Sequence, residues 1–141
     1  MDNKFEMQFL SLSENEGLSR AVVTQFVMKL DPTIEMLQEL KTAVSEAVTN
    51  AIVHAYPEDI GTVSLSGIMN GNTVYITVHD FGIGIADIKK AREPLYTGKP
   101  EEERSGLGFS IMESFSDDLT VTSTLGEGTT VTLKKVFSNG Q

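Results

Sequence analysis

The 141-residue sequence contains no cysteine, which excludes disulfides, thiolate catalysis and cysteine-ligated metal sites. Its two histidines, His54 and His79, cannot form a structural zinc centre unaided, so any metal would be held by oxygen atoms. There is no apolar run long enough to span a bilayer, and the first residues lack the basic and apolar regions of a signal peptide. We therefore expect a cytoplasmic protein that makes no membrane contact.

Basic residues are scarce, with 11 Lys and Arg against 20 Asp and Glu, which gives a formal net charge of -9. Direct contact with nucleic acid needs clustered basic side chains, so this balance argues against it. An acidic surface favours basic protein partners, although it also serves solubility. With 40% hydrophobic residues, the chain has enough apolar side chains for one core, and we predict a single domain over residues 1–141.

Hydrophobic periodicity predicts a strand followed by two helices. Phe5, Met7 and Phe9 alternate with polar neighbours, which indicates a strand over residues 4–10. Ser13 and Glu16 have the spacing of a capping box for a first helix that ends at Asp31-Pro32. Its apolar positions recur every four residues: Leu18, Val22, Phe26 and Leu30. The second helix is predicted from Thr33 to about Tyr56, with the apolar stripe Leu37, Leu40, Val44, Val48 and Ala51.

The second half of the chain reads mainly as strands. Asn70-Gly71 is the pair that most favours a tight hairpin turn, here between strands at 61–69 and 73–78. Further elements are predicted at 87–92 (a short helix inside the loop 81–105), 106–115 (helix), 119–124 and 129–136 (strands), and 137–141 (a frayed tail). This order favours an α+β fold in which helices cover one face of a largely antiparallel sheet, a two-layer sandwich.

Glu46, Asn50 and His54 are spaced four apart on the second helix and form a polar stripe beside the apolar one. The stripe is compatible with a solvated helix face. It is equally compatible with a general base one turn away from an oxygen ligand for Mg²⁺.

Three glycine-containing segments add to that stripe. Asp80-Phe81-Gly82-Ile83-Gly84 follows an alternating strand, and its glycines permit close approach of the backbone to a ligand. The segment 104–109, RSGLGF, has a glycine pair at the start of a helix, where free amides and the helix dipole favour an anion. The segment 126–130, GEGTT, reads as a hairpin turn with a hydroxyl facing the site. Each signal is ordinary when taken alone.

Taken in order, these four motifs resemble the N, G1, G2 and G3 boxes of the GHKL ATPase and kinase superfamily. The resemblance extends through SEAVTNAIVHAY, AREPLYTGKPEEERSGLGFSIMESF and GEGTTVTLKK, which are similar to the anti-sigma F factors of spore-forming bacteria. It implies an ATP-binding sandwich of the GHKL (Bergerat) type, with an ATP lid at about residues 85–105.

The resemblance also implies roles for individual residues. Asp80 would bind the adenine amino group, Asn50 would hold Mg²⁺, and Glu46 would be the general base. Arg104 would reach the terminal phosphate. The remaining nucleotide contacts would come from Gly82, Gly84, Ser105, Gly106, Leu107, Gly108, Phe109 and Thr130. His54, one turn past Asn50, is a further candidate at the border of the adenine or ribose pocket, and its role stays open. In that reaction a partner's serine is phosphorylated from ATP, with ADP as the product.

Two protein partners follow from the same resemblance: a sigma factor, sigma F, that is held inactive, and an anti-anti-sigma factor whose serine is the substrate. Glu16 and Arg20 are the candidate docking residues, although the same spacing fits an intrahelical salt bridge. Apolar positions on the first strand and helix would fit a homodimer contact.

Alternatives remain at this stage. One is a binding protein that sequesters sigma factor in an ATP-dependent manner without kinase activity; another is the related stress-response anti-sigma B kinase. The ATPases of the superfamily need further domains, and the histidine kinases need a separate helical segment that carries the acceptor. His79 is expected to face away from Asp80 in a structural role.

Overall fold

The computed structural model describes residues 1–92 and 108–138. Its elements are β1 (Asn3–Leu10), α1 (Glu14–Val27), a 3₁₀ turn (Met28–Leu30), α2 (Ile34–His54), β2 (Thr62–Asn70), β3 (Thr73–Asp80), α3 (Ile88–Ala91), α4 (residues 108–114), β4 (Asp118–Thr124) and β5 (Gly128–Val136). The predicted order of helices and strands is therefore confirmed over the described residues.

The strands form one five-stranded sheet in the order β1-β2-β3-β5-β4. All four neighbouring pairs are antiparallel. The hydrophobic core lies between the inner face of this sheet and the helices, so the predicted two-layer α+β sandwich is confirmed. In β3 the inner and outer faces alternate residue by residue, which places Asp80 on the inner face.

The long helix α2 is the central element of the helical layer. Thr33 caps it by accepting a hydrogen bond from the Met36 amide at 3.1 Å. Its predicted apolar stripe is buried at Leu40, Val44, Val48 and Ala51, and Leu37 is partly buried. Among the described helices, none combines the length and the apolar character needed to cross a membrane.

The first helix packs differently from its sequence pattern. Its buried residues are Ser19, Val23 and Val27, whereas Leu18 is 43% exposed. The fully buried face is therefore the neighbouring one, whereas Phe26 and Leu30 of the predicted apolar repeat are partly buried against the core. Phe26 also packs edge-on against Phe5 of β1, with ring centroids 4.8 Å apart.

The predicted capping box was also wrong. Ser13 has helical dihedral angles and its side chain makes no capping hydrogen bond. The Glu16 carboxylate turns away from the helix start and accepts a hydrogen bond from Ser45 of α2. A long-range partner thus replaces the local one.

Two residues near the end of β5 join the layers. Lys135 is 7% exposed and donates hydrogen bonds to Glu39 of α2 at 2.8 Å and to the Phe115 carbonyl at 2.9 Å. Phe137 was predicted to belong to a frayed tail, which was wrong. It is 1% exposed in the core, and its amide donates to the Asn72 carbonyl at 2.8 Å.

Candidate functional site

A pocket lies between α2 and the inner face of the sheet, where β3 ends and β5 begins. The space between its lining atoms is about 420 Å³, part of which is open to solvent. Its lining residues come from four separate parts of the chain: Ala47, Asn50, Ala51, His54, Ala55, Val78, Asp80, Gly84, Ile85, Phe109, Thr129 and Val131. Five of the predicted nucleotide contacts, those at positions 50, 54, 80, 84 and 109, therefore line this pocket.

The helix wall of the pocket is made by small and polar residues. Ala47, Ala51 and Ala55 repeat every four residues and leave room beside α2. Asn50 and His54 supply the polar part of the same wall. The Asn50 Nδ2 atom is buried and has no hydrogen-bond partner among the described residues, which is costly unless a ligand or water completes the site.

Asp80 is the buried charge of the pocket, with 6% of its surface exposed. Its Oδ1 atom accepts hydrogen bonds from the Gly82 amide at 3.0 Å and from the Thr129 amide at 3.2 Å. Burial raises the pKa of this carboxyl, and the two amide hydrogen bonds oppose that rise. Both contacts engage the same oxygen, so the carboxylate keeps acceptor capacity for a ligand.

The turn after Asp80 packs tightly because of its glycines. A Cβ atom on Gly82 would overlap the Ala55 carbonyl at the end of α2. Gly84 has φ of +79°, a conformation that other residues rarely adopt, and a Cβ atom there would overlap the Thr124 carbonyl. These two glycines let the turn fit between α2 and the β4–β5 hairpin.

Thr129, rather than Thr130, faces the pocket. In the antiparallel pairing of β3 with β5, Asp80 lies opposite Thr129, and His79 lies opposite Thr130. His79 Nδ1 is 2.6 Å from Thr130 Oγ1 on the outer face of the sheet. The expectation that Thr130 faces the site was therefore wrong, because strand alternation directs consecutive side chains to opposite faces. The same alternation confirms that His79 points away from the pocket.

Gly108, at the start of the described part of α4, lies against the polar stripe of α2. A Cβ atom on Gly108 would lie 3.2 Å from Glu46 Oε2 and 3.3 Å from Asn50 Nδ2. Glu46, Asn50 and Gly108 therefore lie close together. The described residues do not include 93–107, where the predicted contacts Arg104, Ser105, Gly106 and Leu107 and part of the predicted ATP lid lie.

The predicted docking residues lie on α1 and do not line the pocket. Arg20 Nε is 3.0 Å from Glu16 Oε1, so the intrahelical ion pair is present. Its side chain is 46% exposed, whereas that of Glu16 is 22% exposed. Arg20 is thus the more accessible of the two.

Sequence reasoning missed several residues of the site. The alanine repeat at four-residue spacing was a usable signal for a recessed helix wall. Tyr56 and Ser123 carried no local signal, because their hydroxyls act on distant segments: Tyr56 accepts from the Phe81 amide, and Ser123 accepts from the Ile85 amide, each at 2.7 Å.

The fold and the pocket define an ATPase domain of the histidine kinase type. A family model described as Histidine kinase-like ATPase domain matches residues 10–135, and this class of domain implies nucleotide binding. A solved structure, the RsbU and RsbW domains of Rv1364c from Mycobacterium tuberculosis, has the same fold, with a TM-score of 0.70 and 17% identity. The match covers 96% of this chain and 32% of that chain, so this chain spans about a third of its length.

Curated relatives identify the family within that class. A protein named Anti-sigma F factor from Geobacillus stearothermophilus is 53% identical, over 100% of this chain and 97% of the relative. The protein of that name from Bacillus subtilis is 48% identical with the same coverage, and that from Clostridium acetobutylicum is 49% identical over 98% and 96%. The chain belongs to the anti-sigma F factor family of histidine kinase-like ATPase domains.

Proposed function

We propose that this chain binds Mg-ATP in the pocket, holds sigma F inactive, and transfers the γ-phosphate to a serine of an anti-anti-sigma factor. The observation that carries the proposal is that Asp80 and Asn50 both line the pocket, and that Glu46 lies beside Asn50 at Gly108. A nucleotide is the ligand with a hydrogen-bonding base at one end and metal-binding phosphates at the other. The name shared by the relatives supports the sigma factor as partner.

In the pocket, Asp80 would accept a hydrogen bond from the adenine amino group. The Gly82 and Thr129 amides already hold Oδ1, so the second carboxylate oxygen is the one proposed to take the ligand. Val78 and Val131 provide apolar surface for the base. Thr129, which lines the pocket, is proposed to support the adenine end of the nucleotide, a role that the family resemblance gives to Thr130.

Asn50 fits the role of a magnesium ligand. Its side-chain amide is buried in the pocket wall, and an amide oxygen is a suitable donor for this cation. The phosphates and water are proposed to supply most of the other ligands of this cation. The bound ion would neutralise negative charge on the phosphate chain.

Glu46 is proposed as the general base. It lies next to Asn50 at Gly108, so a serine hydroxyl that enters beside α4 would reach both the carboxylate and the terminal phosphate. The serine oxygen forms a bond to the γ-phosphorus, the bond to the β,γ-bridging oxygen breaks, and ADP leaves while Glu46 takes the hydroxyl proton. Arg104 and the amides of residues 105–109 are proposed to stabilise charge on the phosphates.

The partner surfaces are proposed on α1 and β1. Arg20 presents an exposed cation that is oriented by Glu16, and it would contact the sigma factor. Beside it, a groove between β1 and α1 is lined by Phe5, Met7, Val22 and Phe26 together with Asn3, Gln25, Met28 and Lys29. This mixed apolar groove is proposed as the homodimer contact.

The test is transfer of labelled γ-phosphate from Mg-ATP to an anti-anti-sigma protein, measured for the wild type and for Glu46→Gln. We expect the rate to fall by about 10²-fold or more with ATP affinity retained, as for loss of a general base. Glu35→Gln, the same change on an exposed residue of α2, is the matched control.

Other outcomes separate the alternatives. Binding of ATP without transfer to any serine would leave a nucleotide-gated binding module. Transfer to the substrate of a stress-response system, but not to that of the sporulation system, would identify an anti-sigma B kinase. Equal rates for wild type and Glu46→Gln would remove Glu46 from the mechanism.

A further inference from the structure

The turn that follows Asp80, residues 81–85, is held by hydrogen bonds along most of its length. Four of its five backbone amides donate to another group: Phe81 to Tyr56 Oη, Gly82 to Asp80 Oδ1, Ile83 to the Ala55 carbonyl and Ile85 to Ser123 Oγ. A loop with so many internal partners is fixed before any ligand arrives.

Tyr56 joins this turn to two other parts of the chain. Its hydroxyl accepts the Phe81 amide at 2.7 Å and donates to the Thr62 carbonyl at 2.7 Å, so it links the end of α2, the start of β2 and the first residue after Asp80. The ring lies against Gly61, where a Cβ atom would overlap it. Burial raises the pKa of the Tyr56 hydroxyl, which therefore remains protonated and able to donate at neutral pH.

The opposite side of the turn is held by β4. Ser123 Oγ accepts the Ile85 amide at 2.7 Å and donates to the Gly128 carbonyl at 3.0 Å. It also lies 2.8 Å from Thr129 Oγ1, beside the pocket. Two hydroxyls, one on each side, thus hold the turn in place.

We propose that Tyr56 is a positioning residue that sets the geometry of the Asp80 turn and so determines selection of adenine over other purine bases. The inference rests on the proposed function, because it takes Asp80 to be the acceptor for the amino group. Phe81 is the residue directly after Asp80 and is 53% exposed. Its ring packs edge-on against His79, with centroids 4.4 Å apart, and its amide hydrogen bond to Tyr56 Oη is the contact that ties the turn to the end of α2 at this position.

The mechanism of selection is geometric. The Asp80 carboxylate is oriented by the Gly82 amide, which belongs to the same turn. Without the Tyr56 hydroxyl, the Phe81 amide can bond to water, and the turn gains conformations in which the carboxylate no longer faces the base squarely. A base with an amino group facing Asp80 therefore binds more weakly once the turn is loosened. A base with a carbonyl group at the same position makes no such hydrogen bond, so its affinity is unchanged.

The test compares ATP with ITP, in which a carbonyl replaces the amino group of adenine, by equilibrium titration of wild type and Tyr56→Phe. We expect the wild type to prefer ATP, and the preference to fall by about three- to tenfold in Tyr56→Phe because ATP binds more weakly while ITP is unchanged. Tyr75→Phe, on the outer face of β3, makes the same chemical change away from the pocket and should keep the preference. Amide exchange at Phe81 should become faster in Tyr56→Phe alone.

A purely structural role for Tyr56 would lower the unfolding temperature and leave the ATP-to-ITP ratio within twofold, and that result would overturn the proposal. Ser123→Ala gives a second test, because it releases the other end of the turn and should reduce the same ratio. A wild type that bound ATP and ITP equally would contradict the adenine contact of Asp80 itself, and the inference with it. A wild type that bound neither nucleotide would refute the proposed function.

Discussion

Ser45 of α2 donates a hydrogen bond to the Glu16 carboxylate of α1, and Ser45 directly precedes Glu46. The same carboxylate pairs with Arg20. A continuous set of contacts therefore runs from an exposed cation on α1 to the helix that carries the proposed general base. Substitution of Arg20 and substitution of Ser45 would each remove a different contact from this set.

Arg20→Glu should weaken binding of the sigma factor by about tenfold or more and leave ATP affinity intact. The substitution removes the exposed cation and places a like charge beside Glu16, while the pocket is untouched. Titration of the sigma factor at saturating ATP measures the effect, with Lys41→Glu as the equivalent charge reversal on α2. Equal loss of ATP affinity would indicate misfolding.

Asp80→Asn should abolish most nucleotide binding without lowering the stability of the unliganded protein at neutral pH. The amide side chain can still accept the Gly82 and Thr129 bonds, but it no longer presents a carboxylate to the base. We expect ATP to bind about ten- to a hundredfold more weakly, as for loss of a charge-assisted hydrogen bond. Isothermal titration calorimetry measures this loss.

The difference in stability between wild type and this variant should depend on pH, because wild type buries a carboxyl that the variant lacks. Because its folded-state pKa is raised above 3.8, the folded chain binds the proton more tightly than the unfolded chain, and the contribution to stability falls as pH rises through the interval that begins near 3.8. Urea denaturation should therefore show Asp80→Asn at least as stable as wild type at pH 7, with the difference shrinking toward pH 3.8. A variant less stable than wild type at neutral pH would contradict this account.

Gly108→Ala should slow phosphoryl transfer by about tenfold and leave binding of adenosine unchanged. The added Cβ would press on Glu46 and Asn50, and small displacements of reacting groups are costly. Gly17→Ala is the matched control, since the nearest atom to its new Cβ is Arg20 Nη2 at 3.9 Å. That control should raise the free energy of unfolding by about 0.5–1 kcal/mol through helix propensity.

Glu39→Gln should cost more stability than Lys135→Met. Neutralising Glu39 leaves the buried ammonium of Lys135 without its counter-charge, at about 2–3 kcal/mol. Removing Lys135 leaves a carboxylate whose side chain is 32% exposed and can be solvated, at about 1 kcal/mol. Urea denaturation of both variants gives the order, and the reverse order would mean that the Phe115 carbonyl bond matters more than the ion pair.

Local patterns in the sequence were enough for most of the fold. Strict alternation located β3, the Asn70-Gly71 pair located the hairpin, and the four-residue repeat of α2 gave both its buried stripe and the polar stripe of Glu46 and Asn50. These features depend on periods of two and 3.6 residues, which the sequence displays directly. The position of Asp80 at a strand end followed from the same alternation.

Features that depend on tertiary pairing were not predictable. The choice between Thr129 and Thr130 is set by which of them lies opposite Asp80 in the β3–β5 register. The buried face of α1 is selected by its neighbours, and Phe137 is held by a carbonyl 65 residues earlier in the chain, at Asn72. Contacts between residues that are distant in the chain produce no periodic pattern in the sequence around either residue.

The position of β5 inside the sheet determines when the pocket can exist during synthesis. β5 is the last of the five strands in the chain, yet it lies between β3 and β4 and contributes Thr129 and Val131 to the pocket. A nascent chain that has emerged only as far as β4 therefore has α2 and Asp80 but no complete pocket. Nucleotide cannot guide the early stages of folding, and its stabilising effect begins only after β3 and β5, whose paired residues are 49 to 63 positions apart, have joined.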